Sequence, residues 1–298
     1  MGADQECQRS AGCGRHYHSL PHAHARNICR RRSGAAKRKR RMMSLPAKKG
    51  ILLATALLLV AVAFFFPPVA QDLAYHDFAD KRPVQSVPNA GDVLSNIPFC
   101  IVGLWGLFMM RGYRAGDKTA CALWLVFFFG VFLVGFGSGY YHWAPDNKTL
   151  VWDRLPMTIA FMSLFSLVIA EHVSRRLGYA LFPLFLAAGI GSVWYWDYTE
   201  GMGAGDLRPY ALVQFLPMVL ILMMVAMFRT QAGGTRYLMW CLGWYLAAKG
   251  LEHYDDAVFS LLGQTVSGHS LKHLAAAAGV ACLLPYAKLR LEKPAIDV

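Results

Sequence analysis

Residues 119–141 read TACALWLVFFFGVFLVGFGSGYY, a run without a single charged side chain. Crossing a bilayer core of about 30 Å takes about 20 consecutive, mostly apolar residues. Backbone at that depth has no water to bond, so the run must be helical. Seven further stretches read the same way: roughly 50–68, 93–110, 152–172, 178–196, 209–228, 235–252 and 268–287. Pro156, Pro183, Pro209 and Pro217 fall within or near these stretches, where a bundle tolerates them as kinks. The expected fold is an all-α integral membrane protein with eight spans.

Composition agrees with that expectation. The chain has 298 residues, 56% hydrophobic and only 16% charged, whereas soluble domains carry about 25% charged residues. Disordered and fibrous classes are excluded. The formal net charge of +12 invites a nucleic-acid reading until it is located. Residues 1–50 hold 13 Lys/Arg against 2 Asp/Glu, and the remainder holds 17 against 16. The charge belongs to a tail, and no nucleic-acid partner is expected for the body. The tail, 1–49, reads as a disordered basic segment. His16, His18, His22 and His24 near Cys13 and Cys29 give a metal or nucleic-acid arm as its alternative. A start at Met42 or Met43 is another. Residues 50–68 read as an uncleaved anchor, because Phe66-Pro67-Pro68-Val69-Ala70 is a poor small-x-small cleavage site. The seven Cys form no CxxC pair and indicate no disulfide framework.

Lys and Arg set the orientation. With the basic tail in the cytoplasm, Arg111, Arg114 and Lys118, then Arg175 and Arg176, Arg229 and Arg236, and Lys288, Arg290 and Lys293 all fall inside. The alternate links are acidic or mixed and fall outside. Both termini are then cytoplasmic, with 289–298 a short tail. The alternation holds at every link only if all eight spans are counted.

Ionisable groups inside spans are costly and mark functional sites. They gather at the outer ends of three spans. Ser138 and His142 are spaced i,i+4, as are His269 and His273, so each pair shares a helix face. Three imidazoles with one open position suit a catalytic zinc site. Asp153 follows His142 across a tight turn and could act on a metal-activated water. Taken singly, each set has a structural explanation: an i,i+4 His pair can simply pack, and the glycines around Ser138 can serve close helix approach alone. His76 and His172 read as interfacial.

These residues carry a resemblance. Gly137-Ser138-x-x-x-His142, Asp153-x-x-Pro156-Met157 and His269-x-x-x-His273 resemble the three hallmark motifs of the alkaline ceramidase family, part of a wider membrane hydrolase superfamily that includes the adiponectin-type receptors. Asp92-Val93-Leu94-Ser95-Asn96-Ile97-Pro98-Phe99 is similar to its Ser-Asn motif. The likeness covers roughly residues 72–287. It implies a seven-helix catalytic domain over 69–288, with one extra N-terminal transmembrane helix at 50–68. It implies a zinc amidase that cleaves the N-acyl bond of a ceramide-like membrane lipid. His142, His269 and His273 would hold zinc, Asp153 would move the proton, and Ser138 would support the site or the oxyanion.

The resemblance also implies Ca²⁺ in the loop before the family's first helix, here at Asp77, Asp80, Asn89 and Asp92, oxygen ligands suited to that ion. The chain departs from eukaryotic members at Arg154, where they have an acidic residue, and at Leu271 and Lys272, where they have aromatics. Glu252, Asp255 and Asp256 read as an ion-pair network with Lys249, or as contacts to the lipid head. A receptor-like or scaffolding relative with a structural metal is the main alternative. A transporter is another, but it would show inverted repeats and polar groups at mid-depth.

Overall fold

A computed structural model describes residues 43–111, 113, 117–228 and 234–292. The readings of the basic tail over residues 1–42 lie outside the described residues, as do Arg114, Arg229 and Lys293. Chain contacts separate residues 1–48 from a unit spanning 49–298. Of the first unit, only residues 43–48 are described.

The fold is all-helical, with no strand among the described residues. In chain order the helices are α1 (Leu45–Phe65), α2 (Ala90–Leu94), α3 (Ile97–Arg111), α4 (Lys118–Trp143), α5 (Asn147–His172), α6 (Arg175–Gly201), α7 (Arg208–Met227), α8 (Thr235–His253), α9 (Asp255–Leu261), α10 (Gly268–Ala281) and α11 (Leu283–Glu292). A 3-10 turn covers Leu73–His76.

Seven helical segments are long and apolar enough to cross a membrane: α1, α2 with α3, α4, α5, α6, α7, and α10 with α11. The eighth expected stretch forms α8, but Arg236, Lys249 and Glu252 lower its hydropathy and it falls short of the others. Two expected spans are broken. Residues 93–110 divide at Ser95 and Asn96, and 268–287 divides at Cys282, close before Pro285. Pro cannot continue the hydrogen-bond ladder of a preceding turn, which gives the second break its local cause.

Polar residues at the helix ends fix where each element starts. Asp117 accepts from Thr119 and Ala120 at the head of α4, and Ser174 from Leu177 at the head of α6. Asp146 and Thr149 form a reciprocal capping box that starts α5 five residues before the apolar run begins. Caps of this kind contribute about 1 kcal/mol each.

α5 is the central element: 61% of its apolar window is buried, against none for α1. It packs on α4, α6 and α7, while α10 packs on α8 and α3. Trp124, Phe127 and Phe128 of α4, Val168 of α5, Met224 of α7 and Tyr286 of α11 form the main core. At that end Glu171 of α5 bonds to both Arg290 and Tyr286 of α11. Removing one partner of such a buried ion pair typically costs about 3–5 kcal/mol, because the other charge is stranded. His172, expected at the interface, is instead buried against the Val168 carbonyl.

Two glycines bring the site together. A Cβ at Gly137 would land on the Trp152 carbonyl oxygen, so α4 and α5 touch backbone to backbone beside Ser138 and Asp153. A Cβ at Gly268 would meet the Leu251 carbonyl of α8, so the start of α10 sits directly on that helix.

Candidate metal centre

The last turns of α4 and the first turns of α10 meet at one end of the bundle. His142 comes from α4, and His269 and His273 come from α10. All three are buried, and one ligand atom from each lies within 4.8 Å of the others. Among the described residues this is the one group of three or more His, Cys, Asp or Glu that converges in this way. The His142 and His269 Nε2 atoms are 3.3 Å apart. Two nitrogens bound to one tetrahedral zinc at about 2.0–2.1 Å lie about 3.3–3.4 Å apart, so the pair already has the spacing of two zinc ligands.

The surrounding bonds orient these rings. Ser95 Oγ lies 3.0 Å from the Asp92 carbonyl oxygen and 2.8 Å from His273 Nδ1. A carbonyl only accepts, so the single hydroxyl proton goes to Asp92. Oγ then accepts from Nδ1–H, which leaves the lone pair of His273 on Nε2. Asn89 donates to the His142 carbonyl at 2.8 Å. His142 Nδ1 is buried without a hydrogen-bond partner, an orphan in keeping with a ring whose bonding is directed elsewhere. The His269 amide donates to Asp255 Oδ1 at 2.7 Å, and Asp255 Oδ2 accepts from the Ala79 amide at 3.0 Å. Phe78 covers the rings of His142 and His269, with centroids 4.6 and 4.3 Å away. The donor set is three imidazoles, of which one has a defined tautomer and two have the ligand spacing. It fits a metal ion of the zinc class.

A cavity of about 340 Å³ opens beside the cluster. Its polar end holds Ser138, Asp153, Arg154, Lys249, Glu252, Lys272 and His273, and its lower limb is apolar, lined by Val131, Phe161, Leu164, Ala276, Val280 and Leu283. Asp153 takes the Ser138 hydroxyl as a hydrogen-bond partner. Glu252 bridges two ammonium groups, Lys249 at 2.5 Å and Lys272 at 2.7 Å.

The remaining expected residues are distributed differently. Asp255 holds backbone at the head of α10 and does not line the cavity. Asp256 is exposed. The four oxygen residues read for calcium already have protein partners. Asp77 pairs with Lys81. Both Asp80 oxygens bond to the Arg82 guanidinium at 2.7 Å. Asn89 serves His142, and Asp92 accepts from Ser267 at 3.1 Å and Ser270 at 2.7 Å. The charge beside Asp80 is already supplied by Arg82, whereas Asp92 Oδ2 is buried without a hydrogen-bond partner and Asn89 spends only its amide N–H on His142. Among these residues only Asp80 has both carboxylate oxygens taken by a cationic side chain. His76, read as interfacial, braces α4 to α5 through Tyr141 and Asn147.

The spacing of the histidines does not reveal Ser95, Tyr75 or the Ser267 and Ser270 pair. Ser95 and Tyr75 come from a distant part of the chain, whereas Ser267 and Ser270 flank His269 at the head of α10, and only the Ser-Asn stretch itself signalled Ser95. No known family model matches the chain, and no curated protein matches it.

Proposed function

We propose that this chain is a zinc-dependent intramembrane amidase that hydrolyses the N-acyl bond of ceramide or a related N-acyl lipid, releasing a fatty acid and an amine. One observation carries the reading. Of the three converging histidines, His273 lines the same cavity as a carboxylate–hydroxyl pair, Asp153 and Ser138, at its polar end. A structural metal site, as in a receptor-like or scaffolding protein, needs neither group.

Zinc held by His142, His269 and His273 would supply Lewis acidity toward the amide carbonyl and an activated water. Asp153 takes the proton of the attacking water and passes it to the departing amine nitrogen. Ser138 donates its single hydroxyl proton to Asp153 and so orients that carboxylate. The apolar limb holds the acyl chain and keeps bulk water from it, while Phe78 shields the imidazoles from above. Ser95 keeps His273 in the tautomer that offers Nε2.

The reading includes eight spans, with α1 as an added N-terminal helix and α8 counted as a span. Its support is the Lys/Arg alternation, which holds only on that count. Both termini are then cytoplasmic and the histidines lie toward the outer face.

The test is zinc analysis of the purified protein together with a lipidomic screen for released fatty acid, wild type against His142→Ala. Wild type is expected to hold one zinc per chain and release fatty acid, and the variant to lose both. Stoichiometric zinc without release would favour the structural-metal alternative. Full activity in the variant would sink the proposal.

A further inference from the structure

The polar end of the cavity carries more positive than negative charge, and one of its cations is left without a counter-ion. Of its charged lining residues, Arg154, Lys249 and Lys272 are cationic and Asp153 and Glu252 anionic. Glu252 is shared between the two lysines, and Asp153 faces Ser138. Arg154 is 94% buried by its 6% exposure. Its guanidinium lies between the rings of Trp196 at 4.1 Å and Tyr210 at 4.6 Å, with Tyr75 at 6.0 Å. Its hydrogen bond, from Nη2 at 2.6 Å, goes to the neutral Gln71 Oε1. No protein group accepts from Nη1, and among the described residues no carboxylate lies within ion-pair distance of this guanidinium.

An uncompensated buried guanidinium is costly, and ring faces offset only part of that cost. A planar fork held by aromatic rings, with Nη1 unpartnered on a residue that lines a cavity, is instead complementary to an oxyanion. Arg154 lines the same polar end of the cavity as Asp153, where on the amidase reading the amine side of the scissile bond would lie. The apolar limb runs the other way and would hold the acyl side. We propose that Arg154 reads an acidic group on the amine portion of the substrate, so that the preferred substrate is an N-acyl lipid with a carboxylate or phosphate head rather than a neutral one. This rests on the amidase reading above for its chemistry, but the anion preference stands on the cavity alone.

The experiment uses the zinc-loaded, detergent-solubilised full chain and three oleoyl amides that differ only in the head: N-oleoylglycine, N-oleoyl-phosphoethanolamine and neutral N-oleoylethanolamine. At least one acidic substrate is expected to exceed the neutral one in kcat/KM by about 10-fold or more, mainly through KM, as hydrogen bonds to charged groups allow. Whichever acidic arm wins identifies the group as carboxylate or phosphate. In Arg154→Gln the acidic-to-neutral ratio should fall to about one, and in Arg154→Lys, which keeps the charge but not the fork, it should recover partly. A neutral substrate preferred or equal in wild type, or an undiminished ratio in Arg154→Gln, overturns the proposal. Binding of the same three lipids to Asp153→Asn, followed by tryptophan fluorescence, separates it from the amidase reading. If no oleate is released from any arm, the amidase reading fails. The binding ratio then still decides: tighter acidic binding that Arg154→Gln abolishes upholds the anion site, and equal binding overturns it.

Discussion

At the scale of single residues, the centre depends on Ser95 as much as on the imidazoles it supports. Its hydroxyl is committed to the Asp92 carbonyl and so accepts from His273 Nδ1. Ser95→Ala removes that acceptor and lets the ring take the other tautomer. Losing an outer partner of a ligating histidine costs about 10–100-fold in metal affinity. Zinc titration against a chelator should show a loss of that size with one site per chain retained, and unchanged affinity would show that the hydroxyl does not orient the ring. His269 with His273, and His142 with Ser138, were legible as i,i+4 pairs, because helical spacing is periodic. Ser95 is 178 residues from His273, and no periodic pattern connects such positions. The expected calcium residues illustrate the opposite limit. Their type was right for a cation, but at Asp80 the side chain of Arg82, only two residues on, takes that part.

At the scale of elements, α8 is the helix whose reading matters most. Its charges are what lower its hydropathy, and two of them, Lys249 and Glu252, line the cavity, while Arg236 at its start is exposed. A span that lends polar groups to an interior site is expected to look less like a span. The test is topological. With α8 crossing, Leu261, exposed at the end of α9, and Lys118, exposed at the start of α4, lie on opposite sides. An impermeant maleimide should label Leu261→Cys on intact cells and Lys118→Cys only after permeabilisation. Labelling of both from one side would remove α8 from the spans. Hydropathy anticipated long helices because apolar composition over 20 residues is a strong signal. It missed α9 and the breaks at Ser95–Asn96 and Cys282, since short helices and local turns hardly change a 20-residue average.

At the scale of the whole molecule, the loops at the metal end are held by ionised carboxylates. Hydrogen bonds from the Arg82 side chain hold Asp80 below the usual carboxylate range, the Thr149 amide does the same for Asp146, and Arg208 for Asp206. A depressed folded value contributes stability that is present above the unfolded value of about 4 and is lost as pH falls through the folded one. Thermal unfolding in detergent should therefore be nearly flat from pH 7 to about 5 and should drop below about pH 4. A steep loss already near pH 6 would assign the dependence to other groups. The metal end is also the place where the chain must close on itself. His142 and His269 are 127 residues apart. At about 5–20 residues per second, a growing chain makes the second ligand roughly 6–25 s after the first. The first histidine must wait, already inserted, for a helix not yet made. On the proposed reading, metal capture would thus be a late event in the biogenesis of this protein, and an ion held there would certify that α10 has been synthesised and seated against α4.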